Sequence, residues 1–449
     1  MLDDPNGAKN QTYWIGSGSC GYNGLMRRVG LLAPFFPPLR RVGGLRPSRW
    51  AAHLEEFGWE PWVVTLASQS GDYHSLGIDP SRILSLNHLR RSSSPKADPS
   101  FGMIRAWLDA RVPYDGFWPI FWWNQRSIKR WFRESANIEC LVSTGDPWSS
   151  HWMGQNVARE LDIPWVADFR DPWSLSRVPL RNRSRASLAK DARREADVVR
   201  HADAMTFTSD TALQRYQKEY PAQSSRMSVI HNSAGSLDYN DKRKTHNSEE
   251  LSTERIQLVF FGSFRRLSPI EPWIKLFRQV TKLAQEKRTT IPKVTLRSTN
   301  ESLHALDEFS WIEHESLLSV DSNQGASILE KASILLLSSH PDRDDIIPAK
   351  LWDYLPASPP ILSLGSSLDV QKILHDTGQG SQFDSRKDDQ LYAASQWFFD
   401  QLLGLSETPT PLSDEWMHAI SPKTMTSKLC ELLDTLTKQS RQQFKEEGL

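Results

Sequence analysis

Charged groups able to hold a phosphorylated ligand concentrate in residues 340–355, HPDRDDIIPAKLWDYL, between two apolar runs. Residues 333–338 (SILLLS) upstream and 360–364 (PILSL) downstream read as buried parallel strands, so a short helix must join them. Pro348 suits its first turn, where proline gives up no helical hydrogen bond, and Ile347 before it is pushed toward extended geometry. A helix start turns free N–H groups and partial positive charge toward the strand ends, where an anion can bind. Lys350 adds a full charge, Asp353 follows three residues later on about the same side, and Asp344 and Asp345 enter from the loop. Phosphates and sugar hydroxyls together, as in a sugar nucleotide, match this set. An ordinary crossover whose lysine and aspartates are solvated and paired is the competing reading.

Three other places carry chemistry. Residues 256–261 (IQLVFF) read as a strand, followed by Gly262, Ser263, Phe264, Arg265 and Arg266, and the two arginines suit bidentate phosphate contact. After the strand predicted over 29–33 comes a Pro/Gly-rich loop over 34–46 and a helix over 47–57. Gly43 and Gly44 would let backbone approach a ligand, with Arg46 and Arg49 beside it. No third glycine stands at the dinucleotide-fingerprint offset, which argues against a nicotinamide cofactor. In residues 164–173, PWVADFRDPW, the strand ends at Ala167, so Asp168, Arg170 and Asp171 fall where a parallel sheet presents its cleft. An arginine between two acids equally suits a buried network, most of all for Asp168. Ser149 as N-cap places His151 in the first turn of a helix running to Leu161, at a ligand-facing position or as a simple hydrogen-bonding partner.

Positioning these residues takes two α/β units. The 449 residues exceed one compact core, and 39% hydrophobic with 24% charged residues is a globular composition. The expected organisation is a disordered extension over 1–25, a first Rossmann-like domain over 26–235, and a polar linker over 236–254. A second Rossmann-like domain follows over 255–410, then a closing segment over 411–449 with a helix over 421–436. Cys20, Cys140 and Cys430 have no metal-ligand spacing and form no even set, which favours a reducing cytoplasm, and no run is apolar and long enough to span a bilayer. No carboxylate cluster has metal-site spacing. Residues 27–235 carry 29 Lys+Arg against 21 Asp+Glu, and residues 236–449 carry 24 against 31. The basic half suggests an anionic acceptor or peripheral contact with the inner face of a membrane, or else the two signs serve to join the domains. Trp107, Trp118, Trp122, Trp123 and Trp131 stand among Arg126, Lys129, Arg130 and Arg133. Near-helical recurrence of Trp123, Ile128 and Trp131 predicts a core stripe in preference to a membrane- or sugar-facing one.

Residues 347–355 (IPAKLWDYL) followed by PIL at 360–362 resemble the donor-site motif of glycosyltransferase family 4, two acids eight residues apart before a PIL strand. The acids fall on Asp345 and Asp353. Similarity extends to the PxxPxxGG-like loop before Arg46, to STGDPWSSHW and PWVADFRDPWS, and to VIHN at 229–232. The resemblance implies two Rossmann-like domains facing across a cleft, the GT-B architecture, with transfer from a nucleotide-sugar donor to a glycan or lipid-linked saccharide hydroxyl, configuration retained. It further implies donor contacts from Gly43, Gly44, Ser263, Arg265, Arg266, Asp345, Ile347, Lys350 and Asp353, an acceptor-side acid at Asp171, and a closing helix packed across both domains; His151 and Arg170, read from their positions at strand ends, are the other candidate catalytic residues. No bound metal, other cofactor or nucleic-acid partner is implied. A catalytically weakened nucleotide-sugar-binding or assembly protein, and a nucleotide-sugar epimerase of the same architecture, are the alternatives.

Overall fold

The computed structural model describes residues 26–39, 41–67, 73, 76–86, 113–178, 185–235, 255–318 and 322–447. The expected extension over 1–25, the linker over 236–254, Trp107 and Cys20 lie outside the described residues.

The first lobe runs β1 (Arg27–Leu32), α1 (Val42–His53), β2 (Trp59–Thr65), β3 (Ile83–Ser85), α2 (Trp118–Trp131) and β4 (Cys140–Gly145). It continues with α3 (Ser149–Leu161), β5 (Trp165–Phe169), α4 (Arg185–His201), β6 (Ala204–Phe207), α5 (Asp210–Glu219) and β7 (Met227–Val229). Its seven strands lie in the order β3-β2-β1-β4-β5-β6-β7, all neighbours parallel. The second lobe runs β8 (Ile256–Phe260), α6 (Glu271–Glu286), β9 (Val294–Ser298), β10 (Ile312–Ser316), α7 (Ser322–Glu330) and β11 (Ile334–Ser338). After these come α8 (Lys350–Tyr354), β12 (Ile361–Leu364), α9 (Leu368–Thr377), β13 (Gly380–Phe383) and α10 (Asp388–Leu402). Its six strands lie in the order β10-β9-β8-β11-β12-β13, again parallel throughout. The expected class, two Rossmann-like α/β sheets, is the one observed. Each sheet reverses its winding beside its first strand, between β1 and β4 and between β8 and β11, and crevices outside the carboxyl ends at such points are where ligands bind.

Burial explains the strand composition. Central strands β4 (CLVSTG) and β11 (ILLLS) are buried at every position, as helices on both faces require, whereas edge strand β10 (IEHES) exposes Glu313 and Glu315. Helix α6 buries Trp273, Leu276, Phe277, Val280 and Leu283 along one stripe. Two helices follow α10, the short α11 (Asp414–Ala419) and the 26-residue α12 (Pro422–Glu447), which runs beyond the expected end near residue 436. Met425, Leu429, Cys430 and Leu433 of α12 share a core with Val29, Leu31, Trp50 and Trp59 of the first lobe. Asp434 fixes the contact by accepting from Trp59 Nε1 at 2.9 Å and pairing with Arg27 at 2.6 Å. Among the described residues no helix is long and apolar enough to cross a membrane.

Two local expectations are corrected. Helix α1 begins at Val42 rather than Pro47, so Gly43 and Gly44 lie in its first turn and not in a loop. Packing explains both glycines: a Cβ on Gly44 would lie 2.0 Å from the Phe35 carbonyl oxygen, and one on Gly43 would lie 2.2 Å from Arg170 Nη1. The expected core stripe of α2, Trp123, Ile128 and Trp131, is core at Ile128 but not at Trp123. Phe121 and Ile128 are the helix's buried residues, Trp131 packs at the margin, and Trp122 and Trp123 are 46% and 64% exposed. The apolar side of this helix is set by which face meets α3, and tryptophans occupy both sides.

Because the Phe35 carbonyl is backbone and has nowhere to retreat, Gly44→Ala should destabilise the protein by about 2 kcal/mol or more. A lowered denaturant midpoint with unchanged slope is the expected result.

Candidate functional site

At the reversal point of the second sheet, α8 meets the loop that leaves β8. Phe261 N–H donates to the Tyr354 hydroxyl at 2.8 Å, and that hydroxyl donates to the Leu336 carbonyl of β11 at 3.3 Å, tying the helix to both strands. Lys350 lies 4.3 Å over the Phe260 ring, and its Nζ occupies the space that a Cβ on Gly262 would enter at 2.3 Å. No carboxylate pairs with Lys350 among the described residues. Burial, with help from neighbouring Arg265, pushes its ammonium down to about 8. Ser263 shares a 2.8 Å hydrogen bond with Thr299, and Arg265 and Ser268 exchange backbone bonds of 2.9 and 2.8 Å that shape the loop. Arg265 and Arg266 are both exposed. Helix α8 has five residues before one 3-10 turn, so Lys350's charge, more than a helix dipole, is what this crevice offers an anion. Ile347 is buried in the core with Leu337 and Leu351, which gives its side chain a packing role.

The two motif acids point into the other lobe. Asp345 has no exposed surface. It pairs with Arg215 of α5 at 2.6 Å and stands 3.8 Å from Arg343, while its backbone carbonyl accepts from Ser209 Oγ at 2.7 Å. Burial raises its carboxyl, opposed by Arg343 and Arg215. Asp344 pairs with Arg215 at 2.8 Å and Arg177 at 3.2 Å. Asp353 accepts from Gly235 N–H at 2.8 Å and pairs with Arg49 at 3.5 Å. Thus Lys350 and Asp353, expected on one side, serve different neighbours: Lys350 faces its own sheet and Asp353 the first lobe.

Across the cleft, Asp171 is brought to the second lobe, its Oδ1 accepting from Arg343 Nη2 at 2.9 Å. Arg170 instead anchors the loop after β4, donating to the Gly145 carbonyl at 2.8 Å and to the Asp146 carbonyl. His151 has no solvent exposure. Its ring contacts Phe169 at 4.9 Å, Nδ1 bonds Ser143 Oγ at 2.8 Å, and burial lowers it to about 3, so it is a neutral core residue. Ser149 is not the N-cap: Trp148 holds that position, and Asp115 accepts from Ser149 N–H at 2.8 Å and from its hydroxyl at 2.7 Å. Arg46 is buried and paired with Asp168 at 3.0 Å, where Thr144 and Thr206 also donate, which settles Asp168 as structural.

Sequence reasoning missed the partners. Arg343 stood between acids in the opening stretch, a signal available but unused, whereas Arg215, Asp115 and Glu195 carry no local signature. Glu195 accepts from Ser174 N–H at 2.6 Å and from the Tyr216 hydroxyl at 2.7 Å, which itself accepts from Trp173 N–H at 2.9 Å. That network holds the segment that follows Asp171.

Removing Arg215 leaves a buried carboxylate without its closest counter-ion, so Arg215→Met should cost about 3 kcal/mol. The sign of its pH dependence follows from the raised Asp345 carboxyl. The folded state holds that proton more tightly than the unfolded chain, so the variant loses stability as pH rises above the ordinary carboxylate range and regains it in acid. Thermal unfolding across pH reads both.

Residues 48–234 match the family model described as Glycosyltransferase Family 4. No curated protein matches the chain. Among solved structures, a glycosyltransferase from Rickettsia africae ESF-5 is similar at 11% identity and TM-score 0.56, over 93% of this chain and 100% of that one. The N-terminal domain of Candida albicans trehalose-6-phosphate phosphatase is similar at 11% and 0.55, over 91% and 97%. A protein assigned as a UDP-N-acetylglucosamine 2-epimerase from Listeria monocytogenes follows at 10% and 0.51, over 93% and 98%. At these identities the likeness is one of fold. Over residues 48–234 the chain is similar in sequence to Glycosyltransferase Family 4, and the whole chain has the two-lobed GT-B architecture.

Proposed function

We propose that the protein transfers a sugar from a nucleotide-sugar donor to a hydroxyl of a glycan or lipid-linked saccharide precursor, with retained configuration and without a bound metal or other cofactor. Lys350 carries the reading: a partly buried ammonium with no carboxylate partner among the described residues, at the ligand-binding end of the second sheet, with Arg265 as its charged neighbour. Two like charges held there favour an incoming anion, and a diphosphate is the anion that the matched family's donors share. As the bond from sugar to diphosphate breaks, Lys350 and Arg265 meet the developing negative charge. Asp171 accepts the acceptor hydroxyl's proton or hydrogen bond through Oδ2, which has no partner among the described residues, while Arg343 holds Oδ1. A donor ribose would share Asp353 with Arg49 and Gly235. The basic first lobe would keep the enzyme at the cytoplasmic face of a membrane.

One observation favours a second reading. Both motif acids are committed to first-lobe groups, Asp345 to Arg215 and Asp353 to Arg49, as a nucleotide-sugar-binding or assembly protein could tolerate. Turnover separates the two: a donor that binds but is neither hydrolysed nor transferred with any acceptor supports the binding protein. Donor interconversion without acceptor would instead indicate an epimerase.

Two substitutions test the assignment. Lys350→Met should weaken binding of nucleotide sugars about 10- to 100-fold, as loss of a charged hydrogen bond does, with thermal stability retained. In the unchanged protein the same affinity should fall as pH rises through about 8, because the ammonium then loses the charge that the phosphates need, and the variant should lack this step. Calorimetric titration at several pH values measures both, and a pH-independent affinity equal in the two proteins would overturn the role. Asp171→Asn should leave donor affinity within about threefold while lowering transfer about 100-fold or more.

A further inference from the structure

We propose that α2 docks the first lobe onto an anionic lipid surface through Trp122, Trp123, Arg126 and Arg130. The helix turns about 100° per residue, which gathers these four side chains and Ser127 on the side opposite the buried Phe121 and Ile128. All five are exposed. Tryptophan at 46% and 64% exposure, twice in succession, leaves a large aromatic surface in water, and Trp118 stacks beneath Trp122 at 6.0 Å to support it. Across Trp118–Trp131 (WPIFWWNQRSIKRW) there is no aspartate or glutamate. Lys129 and Arg133, on the flank, are neutralised by Glu160 at 2.6 and 3.0 Å, but Arg126 and Arg130 form no ion pair among the described residues.

An exposed face that is aromatic, cationic and without counter-ions suits one environment in particular. Tryptophan is favoured at the level of lipid headgroups, and each arginine beside an anionic bilayer strengthens binding about fivefold. A soluble neutral glycan would use the rings and have no use for two unneutralised guanidinium groups. The excess of 29 basic over 21 acidic residues across 27–235 adds attraction at longer range, and no described helix crosses a bilayer, so the contact lies on the surface. Ring contacts lead from this face inward, Trp118 to Trp152 at 5.7 Å, Trp152 to Tyr114 at 6.4 Å and Tyr114 to Trp173 at 5.8 Å, ending two residues beyond Asp171. The proposal deepens the transferase reading, on which it rests only in giving a lipid-linked acceptor a surface beside the cleft.

Sedimentation of the full chain with phosphatidylcholine vesicles, and with vesicles that also contain phosphatidylglycerol, tests it. Binding to the second and not the first, weakened by salt, is expected. The double variant R126E/R130E should bind roughly 20-fold more weakly or worse, and W122A/W123A should lose most binding, with thermal unfolding and nucleotide-sugar affinity unchanged in both. Failure of the unchanged protein to sediment, or undiminished binding by both variants, would overturn the docking face. So would tryptophan variants that keep vesicle binding while losing affinity for a soluble oligosaccharide. Vesicle binding by Lys350→Met equal to the unchanged protein, whatever its donor affinity, separates this surface from the transferase site.

Discussion

A carboxylate with no exposure to water belongs to one lobe and takes its closest counter-ion from the other. Asp345 sits on the exit of β11, Arg215 on α5, and their 2.6 Å contact is satisfied only while the two sheets keep their present separation and angle. Breaking a buried pair of this kind strands a charge, a far larger penalty than the pair gains by forming. The relative position of the lobes is therefore set at the cleft itself, beside the groups that would handle a ligand. Ser209 and Asp369 add hydrogen bonds to backbone across the same seam, the first donating to the Asp345 carbonyl and the second accepting from the Thr211 N–H.

The direction of charge across that seam accounts for part of the opposite balances of the two halves. Arg49, Arg177 and Arg215 come from the first lobe and Asp344, Asp345 and Asp353 from the second, with Arg343 and Asp171 reversing the rule once. Lobe association thus absorbs cations that the sequence could equally assign to a ligand. What it leaves unabsorbed is informative: Lys350 and Arg265 on one side of the cleft, and Arg126 and Arg130 on the outer face of the first lobe, have no described carboxylate partner. Local neutrality at the seam and unbalanced charge at these two places coexist in a chain of zero formal net charge.

Legibility followed the range of the forces involved. The apolar run of β11, the strand pattern before Asp168 and the amphipathic stripe of α12 are signals within a few residues, and each appeared as an element close to the expected place. Gly43 and Gly44 were visible as glycines, yet their reason, a carbonyl and a guanidinium from other segments, was not. His151 had the right position for a ligand contact and the wrong depth, because Phe169 and Trp148 close over it. Trp123 had core-like spacing with Ile128 and Trp131, on a helix whose buried side was decided by α3.

By itself the sequence determined the class, two successive parallel α/β sheets, and the places where loops leave their strands, since hydrophobic period and turn chemistry are local properties. It also determined which residues could be charged. Only the tertiary structure decided which charges are neutralised, because pairs such as Arg215 with Asp345 span 130 residues and depend on how two separately formed sheets meet. Coulomb attraction acts on distance in space, and between separate elements no spacing along a chain encodes it.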